Sequence, residues 1–353
     1  MTEDRTQRAA EAWRSLIDLE SLARWMDGQS LGQGPIAEVR SLSGGTQNSM
    51  VTFMRDGRQY VLRRPPPHPR SNSDETMRRE MRVLGALRDT DVPHARLIAA
   101  SPDTVVIGCS FYLMEPVQGF NATVGLPPLH AGDADVRHRM GLSLIDGLIR
   151  LAGVDYRAAG LEGFGKTEGF LERQVARWNA QLAGYRDCTG WPGAIAIPGV
   201  EQVGSWLQEH RPSQFTPGIM HGDYHLANVM FRNDGPELAA IVDWELATIG
   251  DPLLDFGLVL TTWPRPDDPT SMKIEPWSGF PDTRELIAHY AAHSDRDLSA
   301  LAWYEVLACF KLGILLEGTY ARACAGHADP QVGRRFHART CALFERAVAL
   351  VGG

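Results

Sequence analysis

The sequence predicts an α+β fold in which a small antiparallel-β lobe precedes a large helical lobe. Two observations carry this. Short apolar runs separated by turn signals are confined to residues 39–114, whereas apolar residues recurring at three- to four-residue steps dominate from residue 116 onward. A chain of 353 residues is long enough to give each lobe its own core. The expected division is residues 1–115, with a leading helix within residues 1–28, and residues 116–353, hinged near Glu115.

Each element has a local reason. Trp13, Leu16, Ile17, Leu22 and Trp25 recur at helical steps and predict one amphipathic helix. A strand over 39–42 leads into a Ser- and Gly-rich stretch, 43–49, and a second strand over 50–54 ends at Asp56-Gly57, a hairpin signal. The third strand, 58–64, is stopped by Pro65-Pro66-Pro67, which cannot donate to a ladder. Ser71, Asn72 and Ser73 offer caps for a helix through Glu80, Met81, Leu84 and Leu87. Apolar runs at 95–100 and 104–114 complete a five-stranded sheet. Beyond residue 116, helices are expected over 136–152, 170–185, 200–210, 283–292, 298–323 and 330–351, with short strands only near 218–231 and 238–244.

Composition excludes several classes of function. There are 35 Lys and Arg against 43 Asp and Glu, a net charge of −8 with no basic run, which argues against a nucleic-acid partner. No stretch of about 18 apolar residues occurs, so no membrane span is expected. The charged first residues are unlike a signal core, and the expected compartment is the cytoplasm. Cys109, Cys188, Cys309, Cys324 and Cys341 form no C-x-x-C pair and read as free thiols. Asn121-Ala122-Thr123 fits a glycosylation pattern that has no meaning in a cytoplasmic chain. Only three lysines are present, Lys166, Lys273 and Lys311. Residues 1–115 are net neutral, so the whole negative excess lies in residues 116–353.

The densest motif is His221-Gly222-Asp223-Tyr224-His225-Leu226-Ala227-Asn228. An Asp on a loop, followed five residues later by an Asn, suits a site needing a carboxylate near a hydroxyl nucleophile and a neutral oxygen ligand for Mg²⁺. Asp243-Trp244-Glu245 then delivers a carboxylate at the end of an apolar run, and hard oxygen donors of this kind suit Mg²⁺ on nucleotide phosphates.

With these residues and the continuation Gly250-Asp251-Pro252-x2-Asp255, the sequence resembles the aminoglycoside phosphotransferase and choline kinase-like small-molecule kinases over roughly residues 30–350. It looks most similar to the branch with kinase-like domains fused to acyl-CoA dehydrogenases and its actinobacterial relatives. The resemblance implies a protein-kinase-like fold that phosphorylates a hydroxyl of a small-molecule acceptor from ATP or GTP with Mg²⁺. It implies Asp223 as catalytic base, and Asn228 and Asp243 as metal ligands. It implies Gly44, Gly45, Thr46, Asn48 and Ser49 as a loop covering the phosphates. Arg63, with Arg64 as fallback, falls at the third-strand cation, Glu80 at its ion-pair partner, and Met114 and Glu115 at the adenine-contacting hinge. The acceptor suggested is an aminoglycoside; the fused relatives suggest a hydroxyacyl-CoA or hydroxy acid, and Trp244, Trp263, Trp277, Trp303 and Tyr304 are candidates for a choline-type aromatic cage. His221, Asp251 and Asp255 read as structural anchors.

Three rival readings remain. Residues 160–167 fit G-x-x-x-x-G-K-T, but a phosphate loop must follow a buried parallel strand and open a helix, and here a helical pattern precedes it; Thr167 reads instead as the cap of the helix expected at Phe170. His221, Asp223 and His225 could be a transition-metal cluster on one strand face. A nucleotide-binding pseudokinase is the third. Lys166→Ala separates the first case: isothermal titration with ATP is expected to give unchanged affinity, whereas a phosphate loop would lose nucleotide binding.

Overall fold

The computed structural model describes residues 12–42, 48–69, 72–265, 268 and 271–352. They form two compact units. The first holds the described residues up to Gly119 with Ala159–Leu161 and Ala239–Ala247; the second holds Phe120–Ala158, Glu162–Leu238 and the described residues from Thr248 on.

In the first unit a 3-10 turn, Ala12–Ser15, precedes helix α1, Leu19–Gly28. The expected single leading helix is therefore two pieces among the described residues. The break is at Asp18, whose carboxylate accepts the Glu20 and Ser21 N–H groups and starts a new helix. Strands β1 (Ala37–Leu42), β2 (Ser49–Arg55) and β3 (Arg58–Arg64), helix α2 (Ser73–Leu87), and strands β4 (Leu97–Ser101) and β5 (Phe111–Met114) follow. The five strands form one antiparallel sheet in the order β1-β2-β3-β5-β4. Side chains alternate across it. Phe53, Tyr60, Leu62, Phe111 and Leu113 pack with Leu22 and Met26 of α1, each large side chain contributing about 1.5–3 kcal/mol by leaving water. Arg63 and Tyr112 point the other way, to α2.

Two further local expectations change in this unit. The strand expected over 104–114 shortens to Phe111–Met114, because the Asp103 carboxylate accepts the Val105 N–H and a turn closes from Gly108 N–H to the Thr104 carbonyl; Val105 is 87% exposed. Asn72 occupies the cap position of α2 but its side chain makes no cap hydrogen bond. Ser71 lies outside the described residues.

The second unit contains helices α3 (Pro128–Gly132), α4 (Ala134–Gly153), α5 (Glu172–Gly184) and α6 (Val200–Glu209), then strands β6 (Gly218–Met220), β7 (Val229–Phe231), β8 (Leu238–Ile241, whose last three residues belong to the first unit) and β9 (Thr248–Gly250). Helices α7 (Leu253–Thr262), α8 (Thr283–His293), α9 (Leu301–Cys324) and α10 (Pro330–Val351) complete it. Strand β6 pairs antiparallel with β9, so the chain entering the His221 motif is held beside the chain leaving the Asp243 motif. Thr167 is not a helix cap: α5 starts at Glu172 and is preceded by Leu171, and Thr167 contributes its carbonyl to the Phe170 N–H. No strand leads directly into residues 160–167, which follow α4 and a turn, and no helix opens there, as a phosphate loop would require.

Helix α7 approaches α9 closely at Gly257, where an added Cβ would stand 2.6 Å from the Tyr304 carbonyl oxygen. Gly257→Ala is expected to lower unfolding free energy by about 1–3 kcal/mol in urea titrations. Gly85→Ala in α2, whose nearest atom would be at 4.0 Å, should be neutral or raise it by up to about 1 kcal/mol.

Candidate active site

Strand β6 delivers the chain to a tip whose backbone is gripped from several directions. Asp255, in the first turn of α7 and 1% exposed, accepts the His221 N–H at 2.6 Å and the Gly222 N–H at 2.9 Å. The Lys311 ammonium of α9 donates to the Gly222 carbonyl at 2.7 Å. Gly222 has φ +85°, a conformation that side-chain-bearing residues avoid. The fully buried His221 ring accepts the Asp223 N–H through Nδ1 at 3.3 Å, and His221 is thus a loop anchor. Asp251 anchors the same region, accepting the Leu253 N–H at 3.1 Å and the Tyr304 hydroxyl.

Asp223 projects from this tip with 39% of its side chain exposed. Oδ2 lies 3.3 Å from His225 Nε2 and accepts from Asn228 Nδ2 at 3.0 Å. His225 Nδ1 accepts the Ala227 N–H at 3.2 Å, so the neutral ring carries its proton on Nε2 and donates to Asp223. Asn228 Nδ2 also donates to the Asp223 carbonyl at 2.9 Å. With two oxygen acceptors on its amide nitrogen, Asn228 turns its carbonyl oxygen away from Asp223, available to a cation. His221 and His225 both use Nδ1 to accept backbone N–H groups, which does not suit a transition-metal cluster with Asp223.

Burial alone would raise the Asp223 carboxyl, but the hydrogen bond from His225 and the positive charge of Lys311 outweigh it and bring it down to about 2. Asp255 behaves oppositely: complete burial pushes it up to about 6, against the pull of Lys311 and the two amides.

In the first unit, Arg63 of β3 meets Glu80 of α2, with Nε 2.9 Å from Oε2, and also reaches Asp243 Oδ1 at 2.7 Å. Glu80 is fully buried and accepts the Tyr112 hydroxyl at 2.8 Å. Despite burial, the charges of Glu80 and Asp243 hold the Arg63 guanidinium above its ordinary value. Arg64 leans to the opposite face and donates to the carbonyls of Pro65 and Leu16. Asp243 has φ +69°, an uncommon left-handed conformation for a non-glycine residue, and 40% of its side chain is exposed. Asn48 Nδ2 donates to Glu245 Oε2 at 3.5 Å, and both line a cavity of about 560 Å³ with His68, Thr76 and Arg79. Ser49 opens β2 opposite Arg64; Met114 pairs with Val61 and Leu97, and the Glu115 N–H donates to the Arg96 carbonyl. Gly44, Gly45 and Thr46 lie outside the described residues. Thus Arg63, Glu80 and Asp243 meet in one unit, and Asp223 and Asn228 in the other.

Several residues escaped sequence reasoning. Asn121, set aside as a glycosylation pattern, donates to the Ala227 carbonyl at 2.7 Å and the Val229 carbonyl at 3.1 Å, and so pins the backbone around Asn228. Lys311 and Tyr112 make contacts that no spacing could reveal. Only His225, inside the motif, carried a readable signal.

A family model described as "Phosphotransferase enzyme family" matches residues 38–304. The curated relatives include acyl-CoA dehydrogenase family member 11 of Pongo abelii, 29% identical over 325 residues (88% of this chain, 40% of the relative), and member 10 of Mus musculus, 28% identical over 306 residues (84% and 27%). The chain therefore spans less than half the length of these relatives. Among solved structures, a Ralstonia eutropha protein assigned as an aminoglycoside phosphotransferase superposes with TM-score 0.79 at 28% identity, covering 94% of this chain and 99% of that one. A ternary complex of the aminoglycoside phosphotransferase APH(4)-Ia with AMP-PNP and hygromycin B superposes with TM-score 0.57 at 15% identity, covering 91% and 98%, a likeness of fold. These matches place the chain in the kinase-like fold, with an antiparallel-sheet unit and a larger helical unit.

The Asp255 carboxyl carries a testable pH signature. Its value of about 6 lies above the unfolded value of about 3.9, so the native state takes up the proton first and stability rises as pH falls from 7 towards 4. Urea titrations over that range are expected to show this increment in the parent protein and not in Asp255→Asn.

Proposed function

The chain belongs to the phosphotransferase enzyme family, and we propose that it transfers the γ-phosphoryl group of ATP to a hydroxyl of a small-molecule acceptor. The observation that carries this reading is the Asp223 carboxylate, exposed at the end of a rigid loop with its Oδ2 held by His225 and Asn228. Both contacts fall on one oxygen, which leaves Oδ1 as the atom to receive the acceptor hydroxyl. A carboxyl near 2 is a weak base, ionised throughout the physiological range. Its role is to orient the hydroxyl and take its proton late, as bonding to phosphorus develops, which suits a loose phosphoryl-transfer transition state.

Asn228 and Asp243 would hold Mg²⁺. The fit rests on the donor set: an amide carbonyl turned away from Asp223, and a carboxylate 40% exposed in a left-handed backbone conformation. The ion would supply positive charge to the nucleotide phosphates. Arg63, fixed by Glu80, would supply a second cation, as a planar fork where many kinases use a lysine. The segment 43–49 would cover the phosphates with backbone N–H groups, and Met114 and Glu115 would meet the adenine. Most of the rate enhancement is then positioning and fixed charge.

An aminoglycoside is the first acceptor class, supported by the Ralstonia eutropha protein and by the net charge of −8 carried by residues 116–353. A hydroxyacyl-CoA or hydroxy acid is the second, supported by the acyl-CoA dehydrogenase relatives. A coupled assay of ADP release, run with Mg²⁺ and ATP across aminoglycosides, amino alcohols and hydroxyacyl-CoA compounds, tests both. Stimulation by one class is expected; no stimulation by any cationic acceptor rejects the aminoglycoside reading. Asp223→Asn should lower kcat by at least about 100-fold with ATP still bound. Retained turnover in that variant would overturn the assignment of Asp223.

A further inference from the structure

We infer that Lys311 is a positioning residue for phosphoryl transfer, clamping the Gly222 carbonyl while Asp255 holds the Gly222 N–H, and thereby fixing the direction in which Asp223 projects. The inference rests on the proposed role of Asp223 and deepens it.

The geometry is one residue held at both of its backbone polar groups. Gly222 N–H donates to Asp255 Oδ1 at 2.9 Å, and Gly222 C=O accepts from Lys311 Nζ at 2.7 Å. Lys311 enters from α9, 89 residues away in sequence, with its ammonium 5.8 Å from the centroid of the Trp178 ring. The carbonyl it holds belongs to the peptide that enters Asp223, so its tilt sets the Asp223 backbone. Removing Lys311 leaves the Gly222–Asp223 peptide with the longer bond from the Asp223 N–H to His221 Nδ1 at 3.3 Å, and a glycine at φ +85° has no side chain to resist its tilting.

The residue type fits the task. Of 35 basic residues only three are lysine. A single carbonyl acceptor suits a compact ammonium on a flexible stem; a guanidinium fork presents more donors than one carbonyl can take. The charge also acts on the carboxylates. Lys311 lies close enough to Asp223 and Asp255 to stabilise the ionised form of each, while its own burial pulls its ammonium down. It therefore holds Asp223 both mechanically and as a charged base.

The test compares Lys311→Met, Lys311→Arg and the double variant Lys311→Met/Asp255→Asn with Asp223→Asn and the parent protein. Two readouts need no identified acceptor: ATP hydrolysis with Mg²⁺, and amide hydrogen exchange over residues 219–228. In Lys311→Met, kcat is expected to fall by about 10–100-fold with KM for ATP within about twofold. Exchange over 219–228 should accelerate by about tenfold or more while the rest of the second unit stays protected. Should that variant fail to fold, the double variant carries the test, because it removes both buried charges together; it should fold cooperatively and still lose kcat. Lys311→Arg should restore neither rate nor protection. A Lys311→Met or double variant that turns over ATP within twofold of the parent, while Asp223→Asn is inactive, overturns the positioning role alone. An active Asp223→Asn overturns the proposed function and the role of Lys311 with it.

Discussion

Two backbone N–H groups, those of His221 and Gly222, converge on the buried carboxylate of Asp255, and the shape of the 218–231 segment follows from that contact. A carboxylate at this depth is costly to bury unless its oxygens are filled; two amides fill them, and the charge of the nearby Lys311 ammonium favours the ionised form. The loop is then no longer free to choose its path. It must leave β6, turn through the left-handed conformation at Gly222 and present Asp223, with His221, His225 and Asn228 closing the turn by local hydrogen bonds. Asn121 completes the arrangement from outside the motif by holding the carbonyls of Ala227 and Val229.

The first unit solves the same problem with different residues. Glu80 is a fully buried acid satisfied by Arg63 and Tyr112, and Arg63 in turn holds Asp243. In both units a buried carboxylate serves rigidity, while a second, 39–40% exposed, is the one proposed to carry the chemistry: Asp255 with Asp223, and Glu80 with Asp243. Removing one partner from either buried cluster leaves an uncompensated charge, the costliest kind of single change in such a core.

Much of this was legible in the sequence, for reasons visible in particular residues. The hairpin at Asp56-Gly57 and the alternation that sends Leu62 to one face and Arg63 to the other are local, and β3 spans Arg58–Arg64 as the spacing predicts. The helix over Pro330–Val351 likewise has the predicted bounds. Short-range polar contacts were harder to see. The turn at 104–108 was hidden because Val105 and Val106 look like strand residues, whereas the Asp103 side chain takes the Val105 N–H and bends the chain. The break between Ser15 and Leu19 depends on which residue caps the helix, and Asp18 outcompetes an uninterrupted periodicity.

By itself the sequence determined the family, the α+β order of sheet and helices, and the candidate residues of the motifs, because motif spacing and period-2 or 3.6 patterns are local properties of a chain. Only the tertiary structure decided which groups hold those residues: Lys311 on Gly222, Asn121 on the Asn228 segment, Tyr112 on Glu80, and Arg63 rather than Arg64 on Asp243. These partners lie 32 to 180 residues apart in the chain. No local pattern encodes such a pairing, since it depends on how whole elements pack to bury charge with its hydrogen-bonding partners.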